Sequence, residues 1–348
     1  MLYGLMAVQR WGISTAGGPD MSQDRTLRPG AHTAGASLLA ALAVLNLAWI
    51  IRDFSKAADV TDAWWMWSGL LFRAQDGIWA SSFVEPTMLV LYTVCAVTAL
   101  VSSSAEGILV STGVLTVLLR VPTLWNLNAG WVQGGVSDGL RIKVLFSVIA
   151  MLVLGVALVV TAVAGRRPAG ETDSGDSRGT RHETPARPTP GRGIAASILL
   201  STVAVVLISW EIHSWVEQGW GLYSHQLTGD RTLVTLLAVP EGWYGCAIAL
   251  LAVSGSLAAF TRARLSRPLG MTVCAPLLGL GLFRLSFAAK AGLLENFGAL
   301  TLRDQLWLTT AVFETLVSLA LLLVLAGRSA QSPGTEPHSG TIRSLSSA

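Results

Sequence analysis

The chain has 348 residues, 52% apolar and only 13% charged, with a mean hydropathy of +0.56. Soluble domains carry about 25% charged residues, so this composition belongs to the membrane class. A net charge of +3, with the basic residues scattered among loops, excludes a nucleic-acid-binding stripe. Cys95, Cys246 and Cys274 all fall in apolar runs, so neither a disulfide framework nor a metal site is expected. The excess of Arg over Lys, with abundant Ala, Gly and Val, points to a GC-rich bacterial genome and hence to a bacterial cell membrane.

In chain order, residues 1–32 read as a polar, disordered segment without a signal peptide, and Met21 is an alternative start. Apolar runs then occur at 33–51, 86–104, 107–126 and 142–164, each near the length of roughly 20 residues that a bilayer core requires. A Pro/Gly/Thr/Arg-rich stretch at 165–192 is too polar to bury a core and reads as a disordered linker. Four further runs follow at 193–213, 242–261, 270–290 and 305–327, and residues 328–348 form a second disordered tail. The expected fold is all-α, a polytopic membrane protein of about eight transmembrane helices.

The chain divides into two four-helix halves, 33–164 and 193–327, that resemble each other in layout. Glu85 corresponds to Glu241, Arg120 to Arg284, Arg141 to Arg303 and Trp49 to Trp210. Four crossings return each half to its starting side, so the repeats are expected to be parallel, about an axis along the membrane normal. Fourteen basic residues lie on the side of the N-terminus, linker and C-terminus, against eight on the other. The positive-inside rule then places both termini in the cytoplasm.

Ionisable groups within a bilayer are costly and mark partners or function. In the second half these are Glu211, His213, Glu241, Arg284, Lys290 and Glu314; in the first, Asp53, Glu85 and Arg120, beside the amide of Asn126. Arg284 lies about 9 Å, and Glu314 about 15 Å, below the far face at 1.5 Å per helical residue. Long side chains span that difference, so these two are expected to pair, as are Glu85 with Arg120 and Glu241 with Arg284. The repeated pairs serve equally well as staples between helices or as working groups. Glu314 is different, because Leu152 stands at its counterpart position. Glu211 and His213 also lack ionisable counterparts, although an interfacial role accounts for the histidine.

Of the thirteen tryptophans, all but Trp11 fall at the far boundary or in the far loops. Aromatic belts normally occupy both interfaces. Two accounts remain open. Loops 54–84 and 214–240 are amphipathic helices anchored by Trp, or Trp49, Trp210, Trp215 and Trp243 wall a pocket between the halves that stabilises cations.

No phosphate loop, HExxH, CxxC or Asp-rich diphosphate–metal motif is present, and no cofactor is expected. What remains is chemistry or transport by one or two carboxyls beside an apolar cavity. The layout, with Glu85, Glu241 and Glu314 contributed by separate halves, resembles the integral membrane terpene cyclases of microbial secondary metabolism. That resemblance covers residues 33–327. It implies proton-initiated cyclisation of a lipophilic, terpenoid-like substrate in an aromatic cavity. Glu314, Glu241, Glu85 and Glu211 would then be acid candidates, with Arg284, Arg120, the tryptophans and His213 around the substrate. The alternative is a proton-coupled transporter or exporter of a small amphiphile; a non-catalytic subunit that anchors a protein partner is a third reading. The expected partners are the lipid bilayer and a lipophilic small molecule.

Overall fold

The computed structural model describes residues 25–72, 74, 78–127, 136–168, 189–230 and 235–326. Among them, eight helices are long and apolar enough to cross a membrane, and the chain is a multi-pass, all-helical membrane protein. They are α1 (Pro29–Lys56), α3 (Val84–Val101), α4 (Ala105–Asn126), α5 (Asp138–Ala164), α6 (Pro190–Thr228), α7 (Glu241–Phe260), α8 (Ser266–Lys290) and α9 (Leu302–Ala326). A short helix, α2 (Val60–Trp67), lies between α1 and α3.

Local chemistry fixes several ends. Pro29 and Pro190 open α1 and α6, where a missing N–H costs nothing. Asp59 caps α2, accepting from the Thr61 backbone N–H at 2.8 Å, while the Asp62 carboxylate accepts from the Asp59 N–H. That bond from Thr61 holds the Asp59 carboxyl below its ordinary pKa.

Several boundaries differ from the sequence reading. α1 begins four residues before 33, and residues 25–27 pair antiparallel with 166–168, so neither flank is wholly unstructured. α6 continues past 213 to Thr228, bending at Gly219, so more than half of 214–240 is helix, as one of the two open accounts of that stretch has it. Polar residues such as Glu217, Gln218 and Gln226 end the apolar run at 213, yet they lie on the same continuing helix. The rest of the N-terminal segment, most of the linker (169–188) and the C-terminal tail lie outside the described residues.

Each half pairs its helices in the same order: α1 with α3 and α4 with α5, then α6 with α7 and α8 with α9. The strand pair, together with the bond from Arg28 N–H to the Gly165 carbonyl at 3.0 Å, sets the start of α1 beside the end of α5. Both therefore share one membrane face, the linker face. The halves meet where α4 packs on α7 and α8, and α3 on α8. Ser111 and Thr272 share a buried hydrogen bond of 2.8 Å there, and Trp243 donates to the Leu118 carbonyl at 2.7 Å. At the opposite, far face the loops of the two halves join through backbone bonds. Leu236 N–H donates to the Trp79 carbonyl and Leu237 N–H to that of Ala80.

Candidate functional site

The two Glu–Arg pairs occupy corresponding sequence positions but very different surroundings. In the first half, Arg120 donates to Glu85 at 2.7 Å, to the Leu237 carbonyl at 3.3 Å and to Asn46 Oδ1 at 3.2 Å. Glu85 is fully buried, and its other oxygen accepts from the Ser82 N–H and hydroxyl. Beside it Asp53, also fully buried, accepts from the Ala80 and Ser81 N–H groups, the Ser81 hydroxyl and Arg52. This network ties α1, α3 and α4 to the loop before α7. Neither Glu85 nor Arg120 is among the residues that line the cavity described below, and both are bonded to other groups of the protein.

In the second half the corresponding pair is open. Arg284 donates to Glu241 at 3.2 Å and to Glu314 at 2.9 Å, the pairing that the helical depths predicted. Glu241 is 76% exposed, whereas Glu314 is 1% exposed and its Oε2 has no hydrogen-bond partner. The guanidinium also lies 5.7 Å over the Trp307 ring. All of these groups border a cavity of about 580 Å³ at the far face, within the usual range for small-molecule sites.

The cavity is built from helix faces. On α6, Leu207, Glu211, Ser214 and Gln218 recur at helical spacing and face it together. On α9, Arg303, Trp307 and Glu314 do the same. α7 contributes Glu241, Tyr244 and Gly245, and α8 Leu280, Phe283 and Arg284. The first half closes one wall with Met66 and Trp67 of α2 and with Phe83 before α3. Trp64 holds α2 in place, donating to the Ser286 hydroxyl at 2.8 Å, while Lys290 stands 4.8 Å over the Trp65 ring.

Glu211 is the third carboxyl of the cavity. Its Oε2 accepts from the Tyr223 hydroxyl at 2.9 Å, and among the described residues it has no ion-pair partner. Its carboxyl rests against Gly245, where a Cβ would collide with Oε1. Tyr223 reaches it because α6 turns at Gly219, whose φ of +73° and ψ of 163° suit only glycine. The hydrogen bond from Gln226 to Gln218, 2.9 Å, closes the bend on itself.

The tryptophan wall is otherwise than expected. Trp210 lines the cavity and donates to the Thr310 hydroxyl at 3.0 Å. Trp49 is buried in the helix core, Trp243 turns away to α4 and packs on Trp125, and Trp215 is half-exposed against Trp220. His213 stands on the outside of α6, its Nε2 3.3 Å from Glu217. None of these four lines the cavity: His213, Trp215 and Trp243 each lie one or two positions from a lining residue, on another side of the helix, and Trp49 lies on α1, which contributes no lining residue. The aromatic wall is instead Trp67, Phe83, Trp210, Tyr244, Phe283 and Trp307. Asn126 is buried at the end of α4 with an unpartnered amide nitrogen, apart from the cavity. No cluster of His, Cys, Asp and Glu that could hold a metal ion occurs among the described residues.

The arrangement therefore brings together two carboxyls that share one arginine, a third carboxyl without an ion-pair partner among the described residues, and aromatic faces. That set can give a proton, receive one and stabilise positive charge between them. Comparison with known proteins adds nothing to this reading, because no family model, curated protein or solved structure matches the chain.

Proposed function

We propose that the chain is a membrane-embedded acid–base enzyme that cyclises or isomerises a lipophilic, terpenoid-like substrate in this cavity. The observation that carries the proposal is the separation of roles among its carboxyls. Glu314 and Glu241 are both bonded to Arg284, while Glu211 has no ion-pair partner among the described residues and is bonded by the Tyr223 hydroxyl. Glu211 is therefore the proton donor, in place of Glu314 or Glu241, which sequence alone put first.

In the reaction, the Glu211 O–H proton adds to one carbon of an alkene, leaving a carbocation on the more substituted neighbour. A second π bond of the substrate attacks that centre and forms the ring bond, moving the positive charge along the chain. The cation then loses a proton from an adjacent carbon to the free oxygen of Glu314, restoring an alkene of unchanged mass. Exchange with water at the Glu241 and Arg303 mouth returns both carboxyls to their starting states. Trp210, Tyr244 and Phe283 supply the faces that stabilise the travelling cation, at about 0.5–2 kcal/mol each.

Membranes carrying the protein, given polyprenyl and prenylated aromatic substrates, are expected to yield isomers of unchanged mass. Glu211→Gln and Glu314→Gln membranes should not. Absence of any isomer from the wild type across that panel removes the catalytic reading. A second reading, proton-coupled export of an amphiphile, is favoured by one feature: Arg284 links an exposed carboxylate to a buried one. Proton-dependent substrate movement in reconstituted vesicles would mark that case. We also propose a bacterial cell membrane setting with the linker face cytoplasmic, supported by the arginines of that side.

A further inference from the structure

We propose that the cavity lined by Glu211 and Glu314 binds the head of a lipophilic monocation, a tertiary amine or quaternary ammonium with an apolar body. The inference rests on the reading of this cavity as the substrate site and adds the charge of the ligand that it takes. Three carboxyls line the cavity against two guanidiniums, and both guanidiniums already have carboxyl partners. Arg284 is shared by Glu241 and Glu314, and Arg303 bonds Glu217 at 3.2 Å.

Two acceptor positions are left for a ligand. Glu314 Oε2 is buried and has no partner, a state that costs free energy until a donor or cation reaches it. Glu211, which is negatively charged whenever its proton has been given up, has no ion-pair partner among the described residues. Trp210 and Tyr244, whose ring faces attract positive charge, line the same cavity. The same wall already holds one cation this way, the Arg284 guanidinium over Trp307. Leu207, Leu280 and Val239 supply the apolar surface for the body of the ligand. A neutral molecule of the same shape fills the space but leaves both carboxyls unanswered. A monoanion meets an excess of carboxylates.

The test uses the full-length protein in lipid nanodiscs, with geranyltrimethylammonium as the probe and geranyl tert-butyl ether as its uncharged shape match. Binding is read from tryptophan fluorescence and from the shift of the thermal midpoint. The cation should bind at least tenfold more tightly than the ether, and the difference should shrink as salt rises. Glu211→Gln and Glu314→Gln should each weaken the cation at least fivefold and leave the ether unchanged. Asp138→Asn, at the exposed start of α5 and away from the cavity, should leave both unchanged. Equal affinities for cation and ether on the wild type overturn the proposal, a comparison that needs no variant to fold. Unchanged cation affinity in both Gln variants overturns it as well. Cation binding without any isomer product supports this proposal while removing the catalytic reading, and isomer formation without cation preference does the reverse.

Discussion

Glu85→Gln and Glu241→Gln remove corresponding carboxylates from the two halves, and their costs should differ several-fold. Glu85 is fully buried and Arg120 is 1% exposed, so the glutamine strands a guanidinium that has lost its counter-charge away from water. Breaking a buried pair by removing one partner costs about 3–5 kcal/mol. Glu241 is 76% exposed, Arg284 retains Glu314, and water replaces the lost contact. Exposed pairs contribute about 0–1 kcal/mol, so Glu241→Gln should fall below about 1 kcal/mol. Unfolding of the purified protein in mixed micelles, titrated with a denaturing detergent, measures both. Arg120→Met alone leaves Glu85, Asn46 Oδ1 and the Leu237 carbonyl short of a donor. The double variant Glu85→Gln with Arg120→Met should therefore cost less than the sum of its singles, with a coupling of about 2 kcal/mol or more. Equal costs for Glu85→Gln and Glu241→Gln, or strict additivity in the cycle, would refute the division into a sealed pair and an open one.

Further predictions concern the cavity and its setting. Gly245→Ala should displace the Glu211 carboxyl with little effect on the unfolding midpoint, lowering isomer formation roughly 10–100-fold. Gly219→Ala forces an unfavourable φ at the bend and should cost about 1–3 kcal/mol, with hydrogen exchange faster through residues 220–228. Because folding lowers the Asp59 pKa, its cap stabilises α2 above the ordinary carboxylate range and is lost as pH falls. Backbone protection factors at Thr61 and Asp62, corrected for the intrinsic pH dependence of exchange, should fall on acidification, and Asp59→Asn should flatten that response. For orientation, Asp59→Cys in a background without native cysteines should react with an impermeant thiol reagent on intact cells. Ser103→Cys, between α3 and α4 at the linker face, should react only after lysis.

The spans were legible in the sequence because a bilayer demands long apolar runs. The pairing of Arg284 with Glu314 was legible because helical rise converts sequence distance into depth. What sequence did not reveal was direction around each helix. In a soluble helix a polar stripe marks the outside, but lipid is as apolar as a protein core, so no stripe orients α6 or α7. Trp215 and Trp243 were therefore read into a wall that they turn away from, while Tyr244 and Phe283, isolated aromatics in apolar runs, went unread. The sealing of Glu85 was equally hidden. It depends on Asn46 from α1 and on the Leu237 carbonyl from the other half, 117 residues beyond Arg120. The Tyr223–Glu211 bond required the bend at Gly219, and a glycine among polar residues reads as an ordinary loop.

The proton step itself offers the most direct measurement. Wild-type membranes in deuterated water should yield an isomer carrying one deuterium at the carbon first protonated, and Glu211→Gln membranes should yield none of it. An isomer free of deuterium, or one formed equally well by Glu211→Gln, would contradict an initiating proton from Glu211.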